Sequence, residues 1–241
     1  MKLLFISLGC DKNLVDSEMM MGLLHDRGYE FTDNEEEADI IVINTCGFIN
    51  DAKEESINTI LEMAKYKENN LKALIVAGCL VERYKNEILQ ELPEIDAIVG
   101  TTAFDKICDV VDDVLADKKH NELESINKMC RPDVNRIITT GGYYSYLKIA
   151  EGCDKHCTYC SIPMIRGAYR SVPMDELVKE AEYLADKIRS LHESGVPLTE
   201  IAVFYRLQSQ SEILSKVLEK HQIPYEISQK KIIQDIPVLA W

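Results

Sequence analysis

An α/β fold with a doubly wound parallel sheet at its N-terminal end is what this sequence predicts, on three observations. Short runs of continuous apolar residues recur at Leu3–Leu8, Ile40–Asn44, Ala73–Ala77 and Ala97–Val99, as in strands buried on both faces. Stretches with helical apolar spacing separate them. The first three runs lead into the glycine–cysteine pairs Gly9-Cys10, Cys46-Gly47 and Gly78-Cys79, at the carboxyl ends of strands, where open α/β sheets gather ligands.

Taken in order, Leu3–Leu8 reads as the first strand, followed by a helix over Asp16–Asp26. Asp16 or Ser17 is its expected cap, and Gly28 lies just past its end. Ile40–Asn44 precedes a helix near Ala52–Tyr66. Ala73–Ala77 precedes one near Val81–Leu92 that stops at Pro93, and Ala97–Val99 one from about Ala103 to Ala116. Residues 1–117 form one expected domain. The charged stretch Asp117–Arg136, with Pro132, reads as a linker extending over 118–142. Tyr146–Ile149 is the next expected strand. Pro173 and Met174 open a long helix, with Asp175 and Glu176 favourably placed in its first turn. It continues to Glu193 and ends at Gly195, and a further helix follows from the polar Gln208–Ser211 to about His221.

The sequence has 241 residues, 27 Lys and Arg against 41 Asp and Glu, and a formal net charge of −14. That acidity argues against a general nucleic-acid-binding surface and suits a basic protein partner. No apolar stretch is long enough to span a membrane. Met1–Cys10 alternates like a buried strand, and its apolar run is too short for a lipoprotein signal. A reducing, cytoplasmic setting is therefore expected, and the eight cysteines read as ligands or core residues rather than disulfides.

The chemistry is concentrated in Cys153, Cys157 and Cys160, spaced C-x3-C-x2-C. Three thiolates this close can bind three irons of a cubane [4Fe–4S] cluster and leave the fourth iron open. The spacing fits neither the C-x2-C pairs of zinc sites nor the C-x2-C-x2-C run of ferredoxins. Cys10, Cys46 and Cys79 form a second expected set, at equivalent ends of three strands, and a second [4Fe–4S] cluster is expected there. Each lies beside a glycine, which admits a bulky inorganic group close to the backbone. Cys108, inside a predicted helix, and Cys130, in a polar stretch, fit no motif and read as free thiols.

The segment Glu151-Gly152-Cys153-Asp154-Lys155-His156-Cys157-Thr158-Tyr159-Cys160 resembles the signature of radical S-adenosylmethionine enzymes. Its flanks, Tyr146–Ala150 and Ile162–Gly167, resemble the methylthiotransferases, and the ribosomal-protein aspartate branch (RimO-like) more than the tRNA branch (MiaB-like). Ser7–Glu18, Asn44–Ile49 and Ala77–Leu80 are similar to the same branch, with Asp11 where many members carry Pro. The resemblance implies that Cys153, Cys157 and Cys160 hold a cluster whose open iron chelates S-adenosylmethionine, with Tyr159 beside the adenine. It implies an auxiliary sulfur-delivering cluster on Cys10, Cys46 and Cys79. A small-subunit ribosomal protein (protein twelve) is then the implied substrate, modified at an aspartate β-carbon. A flavodoxin-like or ferredoxin-like electron donor is the implied partner. Arg166–Ser171 is similar to the family's basic segment after the cysteines, or else is a solvated turn.

The resemblance ends near residue 185. A full eight-unit βα barrel takes roughly 250 residues, about 30 per unit, and only residues 161–241 follow Cys160. Residues 143–185 therefore read as the start of a truncated radical S-adenosylmethionine barrel. Residues 186–241 resemble part of the second motor half of UvrD-like superfamily 1 DNA helicases. There Pro197–Arg206, the polar turn Gln208–Ser211 and the following helix are the matching pattern. Leu207 and Glu212 depart from that family, and no G-x4-G-K-[ST] loop supports an ATPase. The apolar end Val238–Trp241 reads as a truncated unit, and the whole as a chimera joined near residues 181–188. Three functions follow: a ribosomal-protein methylthiotransferase, a tRNA methylthiotransferase, or an inactive iron–sulfur fragment fused to a helicase piece.

Overall fold

The computed structural model describes residues 1–85, 87–129, 136–140, 145–203 and 208–227. Cys130, Pro132, Gly141–Tyr144, Phe204–Leu207 and Val238–Trp241 lie outside the described residues. The chain divides into two compact units, one of residues 1–139 and 148–172, the other of 140–147 and 173–241.

The first unit is built on a five-stranded parallel sheet. Its strands are β1 (Lys2–Ser7), β2 (Glu30–Phe31), β3 (Ile40–Thr45), β4 (Ala73–Gly78) and β5 (Ala97–Val99), in the order β2-β1-β3-β4-β5. This is the doubly wound order in which the chain reverses between β1 and β3, and the crevice at that reversal is where ligands bind. β3 and β4 are buried throughout, which explains their unbroken apolar sequences. Side chains alternate across the sheet. Leu4, Ile41, Ile43, Leu74, Val76 and Ile98 share a core with Ile60 and Met63 of α2 (Asn50–Ala64). Leu80 of α3 (Cys79–Tyr84) and Ile88 of α4 (Glu87–Glu91) join it. Helices α1 (Asp11–Asp26) and α5 (Ile107–Leu115) pack against each other and the sheet, with Val15, Met20, Leu24, Val110 and Val111 buried.

The register levels three strand ends. Ser7 lies opposite Asn44, Asn44 opposite Ala77, and Thr45 opposite Gly78. Gly78 then turns the chain straight from β4 into α3 at φ +95°, and a Cβ there would lie 2.2 Å from Asn44 Oδ1 and 2.7 Å from Thr45 O. The expected helix Val81–Leu92 is accordingly two helices. The first starts early, at Cys79, and ends where Lys85 takes a φ of +48°. The expected start at Asp16 is also corrected. Cys10 is the N-cap residue and the helix begins at Asp11, because Asp16 is engaged in buried ion pairs rather than in capping.

The stretch read as a linker continues the sheet edge at its beginning. Glu122 bridges Val99 in parallel, with Glu122 N–H donating to Ile98 O at 2.9 Å and Gly100 N–H to Glu122 O at 2.8 Å. His120 anchors this edge between Asp113 (2.8 Å) and Glu122 (3.0 Å). The expected strand at Tyr146–Ile149 is displaced to β6 (Ala150–Glu151), which pairs antiparallel with β7 (Arg170–Ser171) and brackets the cysteine loop. No closed barrel is present among the described residues.

The second unit is a helix pair. α7 (Met174–Glu193) is unbroken through residues 181–188, as expected, whereas the expected polar turn Gln208–Ser211 is instead the first turn of α8 (Gln208–Lys220). Ala181 and Ala185 of α7 pack with Leu214 and Val217 of α8, and Val178, Leu218 and Ile223 flank them. Small residues on one helix facing large ones on the other let the axes approach closely. Ile201–Val203 carries no strand pairing. No helix among the described residues is long and apolar enough to cross a membrane.

Two predictions follow from these contacts. Gly78→Ala combines left-handed strain with overlap on Asn44 and Thr45, so it should destabilise the protein by roughly 3 kcal/mol or more. Gly28→Ala, with φ +99° but nothing within 4 Å, should cost only about 1–2 kcal/mol, and urea denaturation separates the two. The Glu122 contact, with Asp113 beside it, raises the His120 imidazole above its ordinary 6.5 despite partial burial. A raised folded-state value gives stability that is fully present below pH 6.5 and is lost as pH rises through the folded value. His120→Gln should therefore destabilise by about 0.5 kcal/mol at acidic pH and by less at pH well above neutrality; equal losses at both would contradict the assignment.

Candidate metal centres

The first candidate centre sits at the levelled ends of β1, β3 and β4. Cys10 caps the N-terminus of α1 and is exposed, whereas Cys46 and Cys79 are buried. Ser56 clasps the Cys46 backbone. Its hydroxyl donates to Cys46 O at 3.0 Å and accepts from Cys46 N–H at 3.1 Å. Gly9, at φ +94°, passes so close that a Cβ on it would meet Cys46 Cβ at 2.7 Å and Cys46 Sγ at 3.1 Å. A larger residue would push the Cys46 thiol out of place. The sequence expectation that Cys10, Cys46 and Cys79 belong to one edge thus has its physical counterpart in register and in this close approach.

Asn13 knits the site together. It is fully buried, and its amide group donates to Leu8 O at 3.0 Å and Thr45 O at 2.8 Å, holding the exits of β1 and β3. Its Oδ1 accepts from the Cys79 thiol at 3.4 Å and from the Arg166 guanidinium. Asn44 donates back to Asn13 O and Ser17 Oγ, both at 2.9 Å. Burial pushes the Cys79 thiol up, and the Arg166 guanidinium opposes that rise.

Beneath lies a set of buried charges. Asp16, Lys148, Glu151 and Arg166 are each less than 10% exposed. Arg166 Nη1 donates to Asp16 at 2.6 Å and to Glu151 at 3.0 Å. Lys148 Nζ pairs with Asp16 and, at 2.9 Å, with Glu151, and lies 5.6 Å from the centre of the Phe104 ring. Glu151 also accepts from Lys12 Nζ at 3.2 Å and from the Gly152 N–H at 3.0 Å. Burial works to raise the Glu151 carboxyl, but Lys148, Arg166 and Lys12 together hold it well below the usual carboxylate range. Two anions and two cations balance here, and removing one member strands an uncompensated buried charge.

The second candidate centre is the loop between β6 and α6 (Ile162–Arg166). Cys153 and Cys160 are half-buried and Cys157 is exposed. Cys153 N–H donates to Gly167 O at 3.0 Å, and Cys160 N–H closes a turn on Cys157 O at 3.0 Å. Asp154 accepts from Tyr169 N–H at 2.9 Å. Tyr159 is 87% exposed beside the thiols, a free aromatic face next to the loop. Cys108 lies half-buried in α5, where burial above all pushes its thiol up to about 11.

Both cysteine sets fit a cubane cluster by their donor chemistry. Among the described residues no three His, Cys, Asp or Glu groups converge on a single ion position. A cubane places each thiolate on a different iron, so it asks for thiols spread around a larger body. Sequence reasoning missed the buried charges. Arg166 reads in sequence as part of a basic segment or a solvated turn, yet it is 4% exposed. The available signal is Lys148 and Glu151, three positions apart in the otherwise apolar Leu147–Glu151 stretch.

Comparison with known proteins gives the following. Residues 2–100 match an uncharacterized protein family, UPF0004, and residues 172–233 match the UvrD-like helicase C-terminal domain. Over 187 residues the chain is 63% identical to the ribosomal protein uS12 methylthiotransferase RimO of Lachnoclostridium phytofermentans, covering 77% of this chain and 42% of that one. It is 52% identical over 190 residues to the protein of that name from Acetivibrio thermocellus, covering 76% and 42%. The chain thus spans about two fifths of the length of these curated relatives. Among solved structures it resembles the radical S-adenosylmethionine methyltransferase TsrM of Kitasatospora setae, with TM-score 0.52 and 11% identity over 91% of this chain and 57% of that one. That likeness is one of fold.

Asn13→Ala should leave Leu8 O, Thr45 O and the Arg166 guanidinium short of a partner. A loss of about 2–4 kcal/mol is expected, measured by urea denaturation of the metal-free protein under reducing conditions.

Proposed function

We propose that this chain carries the iron–sulfur machinery of a ribosomal-protein uS12 methylthiotransferase. The observation that carries this reading is the coincidence of strong identity to those enzymes with two three-cysteine sets, one on levelled strand ends and one on a short exposed loop. Cys10, Cys46 and Cys79 hold an auxiliary [4Fe–4S] cluster, and Cys153, Cys157 and Cys160 hold the cluster that binds S-adenosylmethionine. When bound, these cofactors supply radical chemistry at an unactivated C–H bond, which no side-chain acid or base ionises near neutral pH. The chain's own residues hold and orient. Gly9 and Ser56 fix the Cys46 thiol, Asn13 aligns the loops after β1 and β3, and Glu151 with Arg166 brackets the cysteine loop. Tyr159 offers its exposed ring to the adenine. The substrate is a small-subunit ribosomal protein, whose basic character suits the acidic chain, and a flavodoxin-like or ferredoxin-like protein donates electrons. The domains are residues 1–117 for the auxiliary centre, 143–185 for the start of the radical domain, and 186–241 for the helicase-like piece, with 118–142 linking the first two.

A second reading has its own support. The match of residues 172–233 to a helicase C-terminal domain, where barrel units would otherwise follow, favours an iron–sulfur-binding chain without turnover. Anaerobic reconstitution with iron and sulfide distinguishes the two. About eight irons per chain are expected, falling to about four when Cys153, Cys157 and Cys160 are changed to Ala. Release of 5′-deoxyadenosine from S-adenosylmethionine under dithionite supports the enzyme. Full iron loading without the nucleoside supports the inert reading, and failure of either cysteine set to bind iron sinks the assignment of that set.

A further inference from the structure

We propose that Arg166 is the electrostatic positioning residue of the Cys10–Cys46–Cys79 centre, setting the reduction potential of the cluster held there and tying that centre to the Cys153–Cys160 loop. The inference rests on the reading that these three cysteines hold a cluster, and it concerns a residue outside both cysteine sets.

Three features of the geometry carry it. Arg166 is 4% exposed, and its guanidinium cannot lose its proton in a protein, so the buried charge is permanent. The guanidinium fork faces two ways. Nη2 donates to Asn13 Oδ1, the same atom that accepts from the Cys79 thiol at 3.4 Å. Nη1 donates to Asp16 at 2.6 Å and Glu151 at 3.0 Å, and Glu151 stands two residues before Cys153. The other buried cation of this network, Lys148, is directed at Asp16, Glu151 and the face of Phe104. Of the two buried cations of the network, Arg166 is therefore the one on the cysteine side.

A three-thiolate cubane carries one net negative charge when oxidised and two when reduced. Reduction adds one electron from the donor and breaks no bond. A fixed cation beside it, in a site of low dielectric, stabilises the reduced form more than the oxidised one. Removing that cation must lower the potential.

The test uses the full chain with Cys153, Cys157 and Cys160 changed to Ala, so that one cluster remains. Iron content and the midpoint potential, from a dithionite titration followed by electron paramagnetic resonance, are compared across Arg166 variants. Arg166→Gln should lower the reduced-to-oxidised ratio at a fixed potential at least tenfold, about 59 mV for one electron. Arg166→Lys should recover most of the shift, because it keeps the charge. Arg166→Gln leaves Asp16 with Lys148 as its partner, so Arg166→Gln/Asp16→Asn is made alongside it; losing the anion together with the cation offsets part of the change, and a smaller downward shift is expected. An unmoved midpoint in either iron-loaded variant overturns the proposal. Folded variants that lose iron, while Arg166→Lys retains it, support it through retention of the anionic cluster. A parent protein that binds no iron removes the cluster reading itself, and the proposal with it.

Discussion

The first unit depends on a buried charge balance. Asp16 from α1, Lys148 and Glu151 from the entry to the cysteine loop, and Arg166 from its exit meet in one desolvated place. Desolvating four charges is costly, and the mutual attraction offsets this only when every donor and acceptor is matched. Glu151 accepts from four donors, which is the matching such a site requires. Buried ion networks of this kind often contribute little net stability over an apolar core of the same volume. What this one contributes is specificity, because residues distant in sequence satisfy it in only one arrangement.

That specificity explains which parts of the fold could be read from the sequence. The sheet was legible because β3 and β4 are buried on both faces and so are written as uninterrupted apolar runs. The levelled cysteines were legible because parallel register places equivalent loops at one edge. The start of α1 was not, since Asp16 has the residue type of a cap and sits instead among cations. Nor was the burial of Arg166, which in sequence is indistinguishable from a surface arginine. The break between α3 and α4 was hidden as well, because Gly78 and Lys85 act through backbone angles rather than side-chain pattern.

α7 shows the limits of periodicity in another way. The match to the helicase C-terminal domain begins at residue 172, where the methylthiotransferase resemblance is still running, and the helix passes through both without interruption. An amphipathic helix requires only that apolar residues return to the same stripe, as Leu177, Ala181, Leu184, Ala185 and Ile188 do. Two unrelated sequences can therefore be joined inside one helix and leave its local rules intact. The helicase match takes in the whole helix and runs on to residue 233, so the helix by itself belongs to neither pattern alone.

The two cysteine sets differ in how far apart their members lie along the chain, and this bears on the order in which the protein matures. Cys153, Cys157 and Cys160 sit on one short loop, so even a nascent polypeptide can bring them together at small entropic cost. Cys10, Cys46 and Cys79 follow three different strands and meet only once β1, β3 and β4 are in register. The loop thiols thus stand together early in folding, whereas the strand-end thiols are brought together only on a correctly assembled sheet.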